Sequence, residues 1–213
     1  IKALYVVHFS GNPVNQKKLA YLREKKKIKI LEDCAHSIGA SFEGIKAASC
    51  KNSDCSILSF HPVKHLTTGE GGSITTNDKE IYEKLLILRN HGMKANPNIA
   101  PWHYDMMELG FNYRLTDISC ALGLSQLKKL NSFFKKIDFI ESLYEFTHNS
   151  SYHLYVIKID FENLNIGKKE FVLKMREKNI GLQLHYIPIN KQPYYNDLGY
   201  GNEITPIMDE YYQ

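Results

Sequence analysis

The chain of 213 residues carries 27 Lys and Arg against 23 Asp and Glu, a formal net charge of +4, and 43% hydrophobic residues. That length suits one domain or a domain and a half, and the composition is ordinary for a globular protein in water. No apolar run approaches the roughly 18–20 residues that span a bilayer and the opening residues do not read as a signal peptide, so a cytoplasmic location and no membrane partner are expected. The basic residues are dispersed instead of forming a stripe interleaved with aromatics, which speaks against a nucleic-acid partner.

The first apolar run, Ala3 to Phe9, predicts a buried strand that ends at Gly11, with Pro13 opening the next element. Asn15 to Ile28 has a helical pattern with Leu19 and Leu22 on one face, and Lys25-Lys26-Lys27 sits at its C-terminal end, where cations suit the dipole. Strands are predicted over Lys29 to Asp33, Cys55 to Phe60 and Gly72 to Thr76. Asn77-Asp78 then caps a helix running to about Arg89, with Ile81, Leu85 and Leu88 inward, and Thr116-Asp117 caps another that carries Ile118, Ala121 and Leu122 inward. Strands alternating with helices indicate an α/β layer architecture. After Ser151 the pattern changes. Tyr152 to Ile159 alternates as a strand, a helix follows over Lys168 to Lys178, and Gly181 to Ile187 reads as another strand. That order fits a small α+β domain with one sheet face in solvent. The two predicted domains are 1–135 and 150–213.

The four cysteines, at 34, 50, 55 and 120, do not resemble a disulfide framework. Cys50 and Cys55 with Cys34 and His36 form an imaginable zinc set, but the spacing is at the edge of the usual range and no second pair completes it, so no metal is expected.

The most informative stretch runs from Ser56 to Gly72. An apolar run ends in Ser59, Lys64 lies in the loop that follows, and Gly69-Glu70-Gly71-Gly72 turns into a second apolar run. A lysine between two strands, flanked by hydroxyls and glycines, is placed to condense with an aldehyde cofactor. Upstream, Ile30-Leu31-Glu32-Asp33-Cys34-Ala35-His36-Ser37-Ile38-Gly39 sets an acidic residue at the end of another apolar run.

These segments resemble the DegT/DnrJ/StrS sugar aminotransferases, which carry E-D-x-A-[HQ]-x-x-G, then S-[FL]-x-x-x-K-x-[LI]-[TS]-x-G-E-G-G, then G-x-N-x-R before a helix. The last stands here as Gly110-Phe111-Asn112-Tyr113-Arg114, ahead of Leu115-Thr116-Asp117. The resemblance runs from about Lys2 to Tyr200. It implies the aspartate aminotransferase-like, fold type I architecture of pyridoxal-phosphate (PLP)-dependent transferases, with part of the large domain followed by the small C-terminal domain.

The same resemblance implies the roles of the residues. Lys64 is the catalytic lysine that bonds to pyridoxal 5'-phosphate. Asp33 faces the cofactor's ring nitrogen, His36 touches the ring or its phenolic oxygen, and Ser59 reaches the phosphate. Asn112 reaches phosphate or substrate from a neighbouring subunit of a homodimer, and Arg114 faces an anionic substrate group. His185 and Tyr186 line a sugar-nucleotide pocket. The implied substrates are L-glutamate and a UDP-linked keto sugar. A histidine in place of the lysine marks the dehydratase branch, and Lys64 argues against it. The family pattern also includes a segment before Ile1 that supplies phosphate donors and a ring-stacking aromatic, so the chain reads as a fragment. A non-catalytic dimerising remnant of the same fold is the alternative.

Overall fold

The protein is described here by a computed structural model covering residues 1–135 and 149–212. Two compact units are present, Ile1–Val156 and Ile157–Gln213. The expected junction between the domains lies partly outside the described residues.

In the first unit, β1 (Ala3–Val7), β2 (Lys29–Asp33), β5 (Cys55–Ser59) and β6 (Gly72–Thr75) form one sheet in that order. The first three are parallel, and β6 is antiparallel to β5. Val7 pairs with Asp33 and Asp33 with Ile57, so β1 and β2 end level with each other and β5 runs on to Ser59. Successive side chains alternate between faces. Ile30, Glu32 and Ser56 therefore share one face, and all three are buried. Tyr5, Val7, Leu31, Asp33, Ile57 and Ser59 share the other, where Tyr5 and Val7 are exposed.

The buried face is covered by α1 (Gln16–Lys26), through Gln16 and Leu19. Burial of Ile30 and Leu19 contributes about 1.5–3 kcal/mol each. Asn15 caps α1, its side chain accepting the Lys18 N–H at 3.0 Å, and Lys27 ends it at φ 54°. Between β2 and β5 lies a short hairpin of β3 (Ser41–Phe42) and β4 (Ile45–Lys46). Helix α2 (Lys79–Arg89) begins as predicted, with Asp78 accepting the N–H groups of Glu80 and Ile81. A second hairpin, β7 (Met93–Ala95) and β8 (Tyr104–Met106), follows. Thr116 caps α3 (Asp117–Phe134) by accepting from the Ser119 N–H.

The orientation of α3 differs from expectation. Ile118 is 85% exposed and Leu122 40% exposed, and Ala121 is exposed as well. The inward stripe is Ser119, Gly123, Gln126 and Leu130, spaced at helical period. The cause is steric. A Cβ at Gly123 would lie 2.8 Å from the Thr68 methyl, so the helix approaches the Lys64 loop with its smallest residue.

The strand predicted over Tyr152 to Ile159 is also absent. Its first residues dock instead on the Ser10–Gly11 turn, with the Ser151 and His153 N–H groups donated to Gly11 and Ser10 carbonyls. In the second unit, α4 (Phe161–Leu164), α5 (Lys168–Glu177), α6 (Pro193–Asp197) and α7 (Pro206–Tyr212) are helical, whereas Gly181 to Ile187 makes no ladder. Alternation reports which face a side chain takes. A strand also needs a neighbouring ladder, and among the described residues none is offered to this segment.

Candidate active site

The carboxyl ends of β1, β2 and β5 are where ligands bind in open α/β sheets. Asp33 closes β2 and Ser59 closes β5, and both project from the open face. Asp33 is held from two sides. Its Oδ1 accepts the Ala35 N–H at 2.9 Å, and its Oδ2 accepts the Tyr5 hydroxyl at 3.3 Å. Burial, then the Asp33 charge and hydrogen bond, raises the Tyr5 phenol above its ordinary range. The Ser59 hydroxyl accepts a long bond from the His61 N–H, 3.4 Å, which leaves its own proton available to a ligand.

Lys64 sits in the loop from Phe60 to Gly71, and that loop is cross-laced. The Phe60 N–H bonds to the Gly71 carbonyl, the Thr68 N–H and the Thr67 hydroxyl converge on the Phe60 carbonyl, and the Thr68 hydroxyl bonds to the Glu70 carbonyl at 2.7 Å. Gly71 has φ 149°, and a Cβ there would meet Thr68 Oγ1 at 2.5 Å and Leu115 at 2.7 Å. A Cβ at Gly72 would lie 2.7 Å from the Leu58 carbonyl oxygen. The glycines are thus required by close approach. Glu70 is exposed and faces His61 at 3.8 Å.

Burial lowers the Lys64 ammonium below the ordinary lysine range, and the Asp33 carboxylate opposes that shift. The flank is a group of rings. His36 and His153 lie 4.4 Å apart, His153 and His65 5.2 Å, and His65 and Phe134 5.3 Å. Burial lowers His65 as well, with Lys64 adding to the shift and a Ser151 backbone bond resisting it. Buried Ser151 ties the group together by donating to the His36 carbonyl at 2.6 Å.

Asp33 and Ser59 thus stand at the carboxyl ends of β2 and β5, with His36 and Lys64 in the segments that follow those strands, and Asn112 and Arg114 differ in setting. Both are exposed at the C-terminal end of α2, where the Phe111 and Tyr113 N–H groups bond to Leu88 and Arg89 carbonyls. Arg114 donates to the Asn90 side chain. In the second unit, His185 and Tyr186, with rings 4.4 Å apart, line an open hollow of about 400 Å³ together with Val172, Arg176, Leu182, Gln183 and Leu184.

No motif in the sequence singles out His8, Glu32, Tyr5, His65 or His153 for a role. The usable signal lay in Glu32, a charge inside a strand that the apolar pattern marks as buried. The cysteines are free thiols with local roles. Cys50 lies near the hydroxyls of Ser56 and Thr75, and burial pushes the Cys34 thiol up to about 12.

The sequence profile of the DegT/DnrJ/EryC1/StrS aminotransferase family matches residues 1–213. The chain belongs to that family. Among curated relatives it is 39% identical to the UDP-4-amino-4,6-dideoxy-N-acetyl-beta-L-altrosamine transaminase of Campylobacter jejuni, over 93% of the chain and 55% of that protein. It is 30% identical to the spore coat polysaccharide biosynthesis protein SpsC of Bacillus subtilis, over 100% of the chain and 60% of SpsC. Among solved structures, Helicobacter pylori PseC, an aminotransferase involved in the biosynthesis of pseudoaminic acid, superimposes with a TM-score of 0.81 at 28% identity, covering 97% of the chain and 58% of PseC. The PLP-form of a sugar aminotransferase, Spr1654 from Streptococcus pneumoniae, gives 0.82 at 26% identity, covering 100% of the chain and 61% of that protein. The α/β fold is that of this family's sugar aminotransferases. The chain spans about half the length of the curated relatives it matches.

Proposed function

We propose that this chain forms part of a PLP-dependent sugar-nucleotide aminotransferase that moves the amino group of L-glutamate to C4 of a UDP-linked 4-keto-6-deoxy-N-acetylhexose. The carrying observation is that Asp33 and Ser59 project from one face at the ends of adjacent parallel strands, with Lys64 in the rigid loop between β5 and β6 and within the field of Asp33. This donor set fits pyridoxal 5'-phosphate: an amine of lowered basicity, a carboxylate with lone pairs to spare, and a hydroxyl with a free proton. When bound, that group supplies an aldehyde to carry nitrogen and a ring to take up the electrons released at the substrate carbon.

The residues of the chain do the rest. Lys64 anchors the cofactor and then moves a proton between the two reacting carbons, a task its lowered basicity suits. Asp33 holds the proton of the ring nitrogen, Ser59 donates to the phosphate, and His36 packs at the ring edge. Asn112 and Arg114, exposed as they are, act from the neighbouring subunit of a homodimer on phosphate or an anionic substrate group. His185 and Tyr186 receive the nucleotide sugar, where Arg176 adds a positive charge to the same hollow. The likeness to the altrosamine transaminase and to PseC supports the pseudaminic acid branch.

Two half-reactions sharing one site require glutamate to leave its nitrogen behind before the sugar enters. Initial rates of the native protein with both substrates varied should give parallel lines. Intersecting lines, or preference for a simple keto acid as acceptor, would contradict the assignment. The alternative of a non-catalytic dimerising remnant draws support from the wide apolar exposure of α3, and absence of any turnover by the native protein would favour it.

A further inference from the structure

Directly behind Asp33, on the covered face of the sheet, lies a carboxylate with no lysine or arginine paired to it among the described residues. Glu32 is 2% exposed. Its Oε2 accepts from Gln16 at 2.8 Å and faces His8 Nε2 at 2.9 Å, while its Oε1 accepts from the hydroxyls of Ser53 at 2.5 Å and Ser56 at 3.3 Å. Every partner named is an uncharged polar group, save His8 if it is protonated. The geometry settles His8 as well. Its Nδ1 is buried without a partner among the described residues, so a second ring proton would be a stranded donor, whereas a neutral ring donating through Nε2 leaves only a lone pair unmet.

The other ionisable groups nearby do not neutralise the site. Cys34 stays a thiol, and Lys29 and Arg23 are turned to Asp54, at 3.1 and 3.7 Å. Burial disfavours the Glu32 charge, but the bonds from His8, Ser53 and Gln16 outweigh it and hold the carboxyl below its usual range. His8, Glu32 and Cys34 lie close enough together to suggest a metal, yet the carboxylate oxygens already take four protein donors, and a neutral thiol is a poor ligand. The site is a solvated-in-protein anion. His8 also fixes Asp33 directly, since its backbone N–H donates to the Asp33 carbonyl at 3.0 Å.

We propose that Glu32, held ionised by His8, Gln16, Ser53 and Ser56, is a positioning residue that places a second negative charge behind Asp33 and so strengthens retention of protons on the cofactor at Lys64 and the ring nitrogen. The proposal rests on the cofactor reading above. A buried charge acts through the sheet because little water intervenes.

The test is a spectrophotometric pH titration of the visible band of the native protein loaded with pyridoxal 5'-phosphate. Glu32→Gln removes the charge while keeping shape, and Gln16→Lys neutralises it from α1, so either variant serves if the other fails to fold. Both should lower the titration midpoint, by on the order of half to one pH unit. Glu32→Asp keeps the charge and should stay near the wild-type midpoint. A purely structural role would lower thermal stability and leave the midpoint in place, and that result would overturn the proposal. Absence of any visible band in the wild type would instead sink the cofactor reading, and this inference with it.

Discussion

Two parts of the first unit handle polar groups in opposite ways. At the strand ends, Glu32, His8, Ser53 and Ser56 are buried and bonded to one another, and Asp33 is pinned from two sides. From Trp102 to Leu127 the chain instead displays Trp102, Leu109, Tyr113, Ile118 and Leu124 to the outside, with Asn112 and Arg114 among them. Local backbone bonds to α2 hold that segment. The first region fixes its chemistry with its own residues. The second presents side chains that only another surface can use, and exposed apolar area of this extent marks interaction sites. That contrast supports the proposal that the strand ends serve cofactor chemistry and that the Asn112 segment acts across a homodimer.

The largest effects should fall on the self-contained region. Lys64→Ala should reduce turnover of the native protein by at least ~10³-fold, read in steady-state assays, because nucleophile and proton carrier are lost together. Asp33→Asn keeps the shape but removes the charge, and turnover should fall ~10²–10³-fold while the protein still melts cooperatively. For the outward region, a mixed dimer of Asn112→Ala and Lys64→Ala subunits is decisive. If Asn112 acts across the interface, one site carries both lesions and the other is intact, so about half of the wild-type activity returns. A mixed dimer as inactive as its parents would place Asn112 within its own subunit.

The smallest expected effect concerns stability. Asp54 accepts the Ile30 N–H at 2.8 Å and Lys29 at 3.1 Å, and although burial opposes its charge, these bonds lower its carboxyl below the ordinary value of 3.8. A depressed carboxyl stabilises the fold above that ordinary value, and the contribution is lost as pH falls through the folded one. Asp54→Asn should therefore cost about 1 kcal/mol in denaturant titrations at neutral pH, and the difference from wild type should vanish near pH 2.

Much of this was legible in the residues. The bounds of β2 and the Asp78 and Thr116 caps follow from apolar runs and local hydrogen-bonding chemistry. So does the placement of Asp33 and Ser59 at strand ends, since both follow apolar runs that close there. What depends on long-range partners was not legible. The facing of α3 is decided by Thr68 meeting Gly123, and the segment after Ser151 is drawn to the Ser10–Gly11 turn. Neither contact leaves a periodic trace. Glu32 needed a partner from the end of β1, and a single strand's pattern shows a buried charge without showing what satisfies it.

The central claim, that Lys64 holds the cofactor covalently, is tested most directly by borohydride reduction of the native protein after incubation with pyridoxal 5'-phosphate, followed by peptide mass mapping. The account predicts bleaching of the visible band and the cofactor mass on the peptide containing Phe60 to Gly71. Label on another lysine, or on none, would contradict it.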